Sequence, residues 1–171
     1  MATRNAIIAS MKPMIMIVTV AAALVAAGSG GAASAGCKAG VTTYGGATAR
    51  VFCGPATATA HVDGKTFTIR QGTCDKHSNY LAINIGEVVL GTSNKPKPGY
   101  FGLDVGKVPM LGGAPAAKDG TYHAGVIALA YAGKGYAIRA GATVKLTNNR
   151  TRGTFSGTLL VGGVVTGSFT C

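Results

Sequence analysis

Four cysteines, Cys37, Cys53, Cys74 and Cys171, all follow an apolar leader, and the last of them is the final residue of the chain. An even number of cysteines in an exported chain reads as disulfides. A bond to the last residue would join the end of the fold to its body. Export is read from the leader. Arg4 and Lys12 precede the apolar run "PMIMIVTVAAALVAAG" (Pro13 to Gly28), and Ala33-Ser34-Ala35 fits the small-residue rule for cleavage before Gly36. The run is short and alanine-rich against the roughly 20 apolar residues of a membrane span. Residues 1–35 are therefore expected to be a signal peptide. Residues 36–56 form an N-terminal segment with the first cysteine pair, and 57–171 form an antiparallel β-domain.

Downstream of the leader, runs of Thr, Val, Ile, Tyr and Phe alternate with Gly, Asp, Asn and Pro, which is a strand pattern. In "TATAHVDGKTFTIR" (Thr57 to Arg70), Asp63-Gly64 is a two-residue hairpin signal, because a type I′ turn needs positive φ at both centres. Pairing outward from it sets Val62 opposite Lys65, Ala60 opposite Phe67 and Ala58 opposite Ile69. Thr57, Thr59, His61, Thr66, Thr68 and Arg70 then share the other face. A slip of one residue would exchange the faces. "GTFSGTLLVGGVVTGSFTC" (Gly153 to Cys171) is read as a second hairpin with a three-residue loop, Val161 to Gly163. That loop gathers Phe155, Gly157, Leu159, Val165, Gly167, Phe169 and Cys171 on one face. "SNKPKPGY" and "GGAPAAKDG" are loops. The expected fold is all-β, an antiparallel sandwich or partly open barrel of about eight short strands held by disulfides.

Three cysteine pairings are open. The preferred one joins Cys74 to Cys171 and Cys37 to Cys53, since Cys171 ends the last strand on its inward face. In the chain-entropy model the long loop would contribute about 4–5 kcal/mol and the short one about 3 kcal/mol.

Fourteen of the sixteen basic residues and all five acidic ones lie after position 35, a net charge of about +9 for the mature chain. Lys95 and Lys97 in the proline loop, Lys134, and Arg150 and Arg152 in "NNRTRG" are the candidate contacts to an anionic partner, an envelope polymer or a lipid head group. The plainer reading of these residues is a solubilising rim. Nucleic acid is not expected, because tryptophan is absent and no aromatics interleave with the basic residues.

No catalytic constellation stands out, so catalytic residues, cofactors and metal ligands are all expected to be none. His61, His77 and His123 have no ligand spacing between them, and the cysteines of any zinc site would be oxidised. There is no G-x-S-x-G elbow. Asp63 and Asp119 read as turn residues, and nothing around Asp104 and Glu87 favours a glycosidase pair. Tyr100, Phe101, Tyr122, Tyr131 and Tyr136 either fill the core or line a pocket between the sheets.

"HVDGKTFTIRQGTC" (His61 to Cys74), then "AINIG" (Ala82 to Gly86) and the closing "GTFSGTLLVGGVVTGSFTC", resemble the mycobacterial lipoprotein antigen family of LpqH type. The likeness covers residues 57–91 and 153–171. It implies an exported actinobacterial envelope β-domain, known as a surface antigen and without known enzymatic activity, with Cys74 and Cys171 in the places of the family's cysteine pair. In that family an N-terminal cysteine carries lipid, and Cys37 is the position here that matches. Cys37 departs from the lipidation pattern: Ser34 stands where a bulky aliphatic residue belongs, and small residues separate the cysteine from the apolar run. Lipidation would also leave Cys53 without a partner. A disulfide-bonded Cys37 in a secreted or envelope protein is the expectation, and a lipid-anchored membrane protein the alternative. The expected role is non-enzymatic, an interaction or a structural part. A carrier for an apolar small molecule is the first alternative and an enzyme with an unrecognised site the second.

Overall fold

The computed structural model describes residues 36–109 and 113–171. The signal segment expected over 1–35 lies outside these residues, as does Gly112 at the start of the second loop. The described residues form twelve strands and no helix. They are β1 (Gly40–Tyr44), β2 (Ala47–Val51), β3 (Thr57–Val62), β4 (Lys65–Arg70), β5 (Gly72–Lys76) and β6 (Tyr80–Leu90). The second half holds β7 (Tyr100–Gly106), β8 (Gly120–Tyr131), β9 (Lys134–Tyr136), β10 (Ala142–Thr147), β11 (Arg152–Thr158) and β12 (Val164–Thr170). The class is the expected one, with more strands than the eight read from sequence.

The strands make one antiparallel sheet in the order β1-β2-β6-β7-β8-β10-β11-β12-β3-β4, with β5 added to β6 and β9 to β8. Two-residue turns set three of its hairpins. Asp63 and Gly64 (φ 50° and 71°) join β3 to β4 in the expected register, from Val62 opposite Lys65 to Thr57 opposite Arg70. Gly45-Gly46 joins β1 to β2 and Ala132-Gly133 joins β8 to β9, again with positive φ at both centres.

The C-terminal hairpin needs a correction. Thr158 pairs with Val164, so the loop has five residues, Leu159 to Gly163, and the register lies two residues away from the three-residue reading. A shift of two keeps every side chain on its expected face. Packing explains the choice. The expected register would oppose Phe155 to Phe169 and leave Gly157 facing Gly167. The observed one opposes Phe155 to Gly167 and Phe169 to Gly153, so each ring lies over a glycine.

The sheet folds back on itself into two walls. The first half of β8 pairs with β10 and its second half with β7, so this strand belongs to both walls. On the other side β4 passes into β5 through one residue, Gln71, at φ 67°. Leu81, Ile83 and Ile85 of β6 and Phe101, Leu103 and Val105 of β7 face inward from one wall; Val144, Leu146, Phe155, Val165 and Phe169 face inward from the other. The Phe101 and Phe155 rings meet across the interior with centroids 4.9 Å apart. No polar residue is wholly buried among the described residues, so the core gains apolar burial at little polar cost; the Arg150 Nε is the one buried side-chain polar atom among them without a hydrogen-bond partner.

Candidate interaction surface

Both disulfides have the preferred pairing: Cys37 with Cys53, and Cys74 with Cys171. The first closes the N-terminal segment, whose β2 extends the sheet beside the far half of β6. The second crosses between the walls, from β5 to the residue after β12. No cysteine among the described residues is free.

The acids are largely engaged within the fold. The Asp63 carboxylate lies 3.6 Å from Lys134 Nζ. Asp119 accepts hydrogen bonds from the backbone N–H of Asn149 at 3.0 Å and of Arg150 at 2.7 Å. Asp104 is half-buried on the outer face of β7, and that burial raises its carboxyl above the ordinary aspartate range. Tyr100, on the same face, donates to Asn84 Oδ1 at 2.8 Å. Its phenol is raised first by burial and then by the Asp104 charge, with Arg50 acting in the opposite sense. Asp75 is exposed and Glu87 half-exposed.

Asp104 lies opposite Ala82 on β6, five residues along the strand from Glu87. At about 3.3 Å per residue this separates the two by roughly 17 Å, beyond the roughly 6.5–9.5 Å of an inverting glycosidase pair. The sheet does bring Asp75 and Asp104 into one row, on either side of Ala82. His77 stacks on Tyr80, while His61 and His123 hydrogen-bond to Thr66 and Thr143. No group of three or more potential metal ligands forms among the described residues.

The five candidate cations do not come together. Tyr100 opposite Ala130 places the proline loop and the β8–β9 hairpin at one end of the sheet, carrying Lys95, Lys97 and Lys134. Leu146 opposite Gly120 places the β10–β11 turn, with Arg150 and Arg152, at the other end. Lys134 is paired with Asp63 and lies 4.8 Å over the Tyr136 ring. Arg150 is a structural residue rather than a rim charge. Its Nη1 donates to the carbonyls of His77 at 2.8 Å, Ala116 at 3.0 Å and Tyr80 at 3.3 Å, tying three loops together. The turn that presents it has Asn148, Asn149 and Arg150 all at positive φ. Lys95 and Arg152 remain exposed, and Lys97 is half-exposed. Arg70 and Lys145 share an outer sheet face with Arg152, which a reading of loops alone passes over. The period-two alternation of β4, β10 and β11 is the signal that places them there.

Of the five aromatics, Phe101 is a core residue, and Tyr122, Tyr131 and Tyr136 pack against the core from partly buried positions. Phe67 gathers Tyr131 and Tyr136, with centroids at 4.5 and 5.6 Å. Tyr131 also borders a cleft of about 290 Å³ that opens at the surface, with Phe52, Ile69, Arg70 and Glu87 on its walls. Compared with protein-family models, with curated proteins and with solved structures, the chain gives no match.

Proposed function

We propose that this chain is an exported envelope domain of the lipoprotein-antigen type that works by binding, not catalysis, and that its partner is an anionic envelope polymer or lipid head group. The charge distribution carries this reading. Exposed Asp63 is paired with Lys134, exposed Asp119 accepts from two backbone amides and Asp104 is half-buried, and the five acids stand against fourteen lysines and arginines after position 35. A surface of that sign attracts polyanions by summed, salt-sensitive electrostatics. Two disulfides agree with an oxidising compartment, as does the leader pattern. The resemblance over 57–91 and 153–171 supports the envelope assignment. Cys37 Sγ is bonded to Cys53, and a lipid thioether would require that same sulfur.

Fractionation of cells expressing the full chain tests the compartment: the protein is expected in the envelope or medium, and a purely cytoplasmic distribution overturns the reading. Intact mass separates the two envelope forms. The disulfide form predicts a chain starting at Gly36 without added mass, whereas acyl mass on Cys37 assigns the lipid anchor. Binding is tested with polyanions and anionic vesicles at low and high salt. Retention that salt abolishes is expected, and failure to bind either one at low salt overturns the anionic partner.

A further inference from the structure

The outer face of the wall β10–β11–β12–β3–β4 is unlike the rest of the surface. Cross-strand pairing arranges most of its side chains in three rows, with the Thr158–Val164 pair beyond the first. The first runs Thr143, Ser156, Thr166, His61, Thr66; the second runs Lys145, Thr154, Ser168, Thr59, Thr68; the third runs Thr147, Arg152, Thr170, Thr57, Arg70. Eleven of these fifteen positions are Thr or Ser, three are Lys or Arg, one is His, and none is acidic or apolar. All are exposed or half-exposed.

Strand propensity accounts for threonine on an open sheet face, but it does not account for the charges. The other wall carries Asp75 and Asp104 on its outer face, whereas this one carries only cations. Strands lie about 4.8 Å apart and alternate residues about 6.8 Å apart along each, so the hydroxyls form a two-dimensional grid. At its centre Thr154, Ser156, Thr166 and Ser168 make no side-chain hydrogen bond among the described residues. They are open to a ligand, with Lys145, Arg152 and Arg70 around them.

We propose that this face binds an extended anionic polysaccharide, whose hydroxyls meet the Thr and Ser rows and whose acidic groups meet Arg70, Lys145 and Arg152. Charge complementarity selects an anion, and the hydroxyl grid selects a sugar chain. Bilayer insertion would need an apolar patch, and the outer face of these strands offers only Val164, at its end beside Thr158. Single-stranded nucleic acid would need aromatic faces to stack on, which the rows lack. A guanidinium forms paired hydrogen bonds with a carboxylate, so a uronate chain suits Arg70 and Arg152. The proposal deepens the envelope-binding reading and rests on it.

The test is affinity electrophoresis of the oxidised, exported protein in polygalacturonate, with neutral dextran as control and phosphatidylglycerol vesicles as a second anion. Retardation by polygalacturonate and not by dextran is expected. The Arg70→Gln/Lys145→Gln/Arg152→Gln variant should bind about tenfold or more weakly, since each lost contact is a hydrogen bond to a charged group. Thr154→Val/Thr166→Val/Ser168→Ala, which keeps strand propensity and charge, should also weaken binding several-fold. Lys95→Gln/Lys97→Gln should leave it within about twofold. Melting curves confirm that each variant is folded. If the loop variant loses as much as the face variants, or only vesicles bind, this face is the wrong site while the anionic-partner reading stands. If neither polyanion nor vesicle binds, both fail.

Discussion

Phe155 on β11 lies directly over Gly167 on β12: the two are cross-strand partners, and a Cβ on Gly167 would collide with the Phe155 ring and with the Thr59 carbonyl on β3. The same arrangement recurs where Phe169 covers Gly153, at 2.6 Å from the position a Cβ there would take. Gly167→Ala should therefore destabilise the protein by about 1–3 kcal/mol through overpacking. The ring can shift, but the β3 backbone can move only with the sheet. Urea denaturation measures the loss, and an unchanged midpoint would contradict this account of the register.

The two disulfides should differ in weight. Cys74→Ala/Cys171→Ala opens a closure of 97 positions and is expected to cost about 4.7 kcal/mol in the chain-entropy model. Cys37→Ala/Cys53→Ala opens one of 16 and should cost about 3 kcal/mol. Equilibrium denaturation of both variants against the oxidised parent checks the order as well as the sizes.

Removing the Arg150 side chain takes a donor from three backbone carbonyls, of which, among the described residues, only that of Tyr80 keeps a backbone partner, the His77 N–H. Arg150→Ala is expected to lose about 2 kcal/mol or more, because hydrogen bonds to a charged group exceed neutral ones. Arg150→Lys should restore little, since an ammonium at a different reach cannot replace the planar fork. A smaller loss is expected for Asp119→Asn, whose single amide oxygen can accept from only one of the Asn149 and Arg150 amides, and without charge. Thermal melts of the three variants rank them.

Asp104 should make stability fall as pH rises. Burial raises its folded-state pKa above the unfolded value, so between the two the folded protein holds the proton more tightly than the unfolded chain. Stability then declines as pH increases from the ordinary aspartate pKa towards the raised one, and the penalty persists above it. Asp104→Asn should therefore raise the melting temperature at pH 7 and leave it nearly unchanged below pH 3. A gain of equal size at both pH values would assign the effect to packing instead.

Local chemistry was legible and lateral pairing was not. Asp63-Gly64 specified its hairpin to the residue, because a type I′ turn depends only on its two centres and their immediate neighbours. Gly45-Gly46 carries the same signal and builds β1–β2 within 36–56, a stretch marked in the sequence only by its cysteines. Ala132-Gly133 does likewise for β8–β9. The extra strands come from these turns and from the break at Gln71, where one positive φ divides a continuous run into β4 and β5. The loop of the last hairpin was misread because Gly162-Gly163 advertises a tight turn, while the glycines beneath the two phenylalanines, several residues away, decide the register.

Alternation alone assigned Thr59 and Thr68 to one polar face and Ser168 to another, each within its own hairpin, since that pattern has a period of two and needs no distant partner. That these faces are continuous depends on β12 lying beside β3, with Ser168 opposite Thr59. Their shared register comes from the packing of Ala58, Ala60 and Val62 beside Val165 and Phe169 in the common core. The same long-range packing turned Arg150 inward and sent the other loop cations to opposite ends. Periodicity places a residue on a face; only the folded core chooses which faces meet, because that choice is made by contacts between residues distant in the chain.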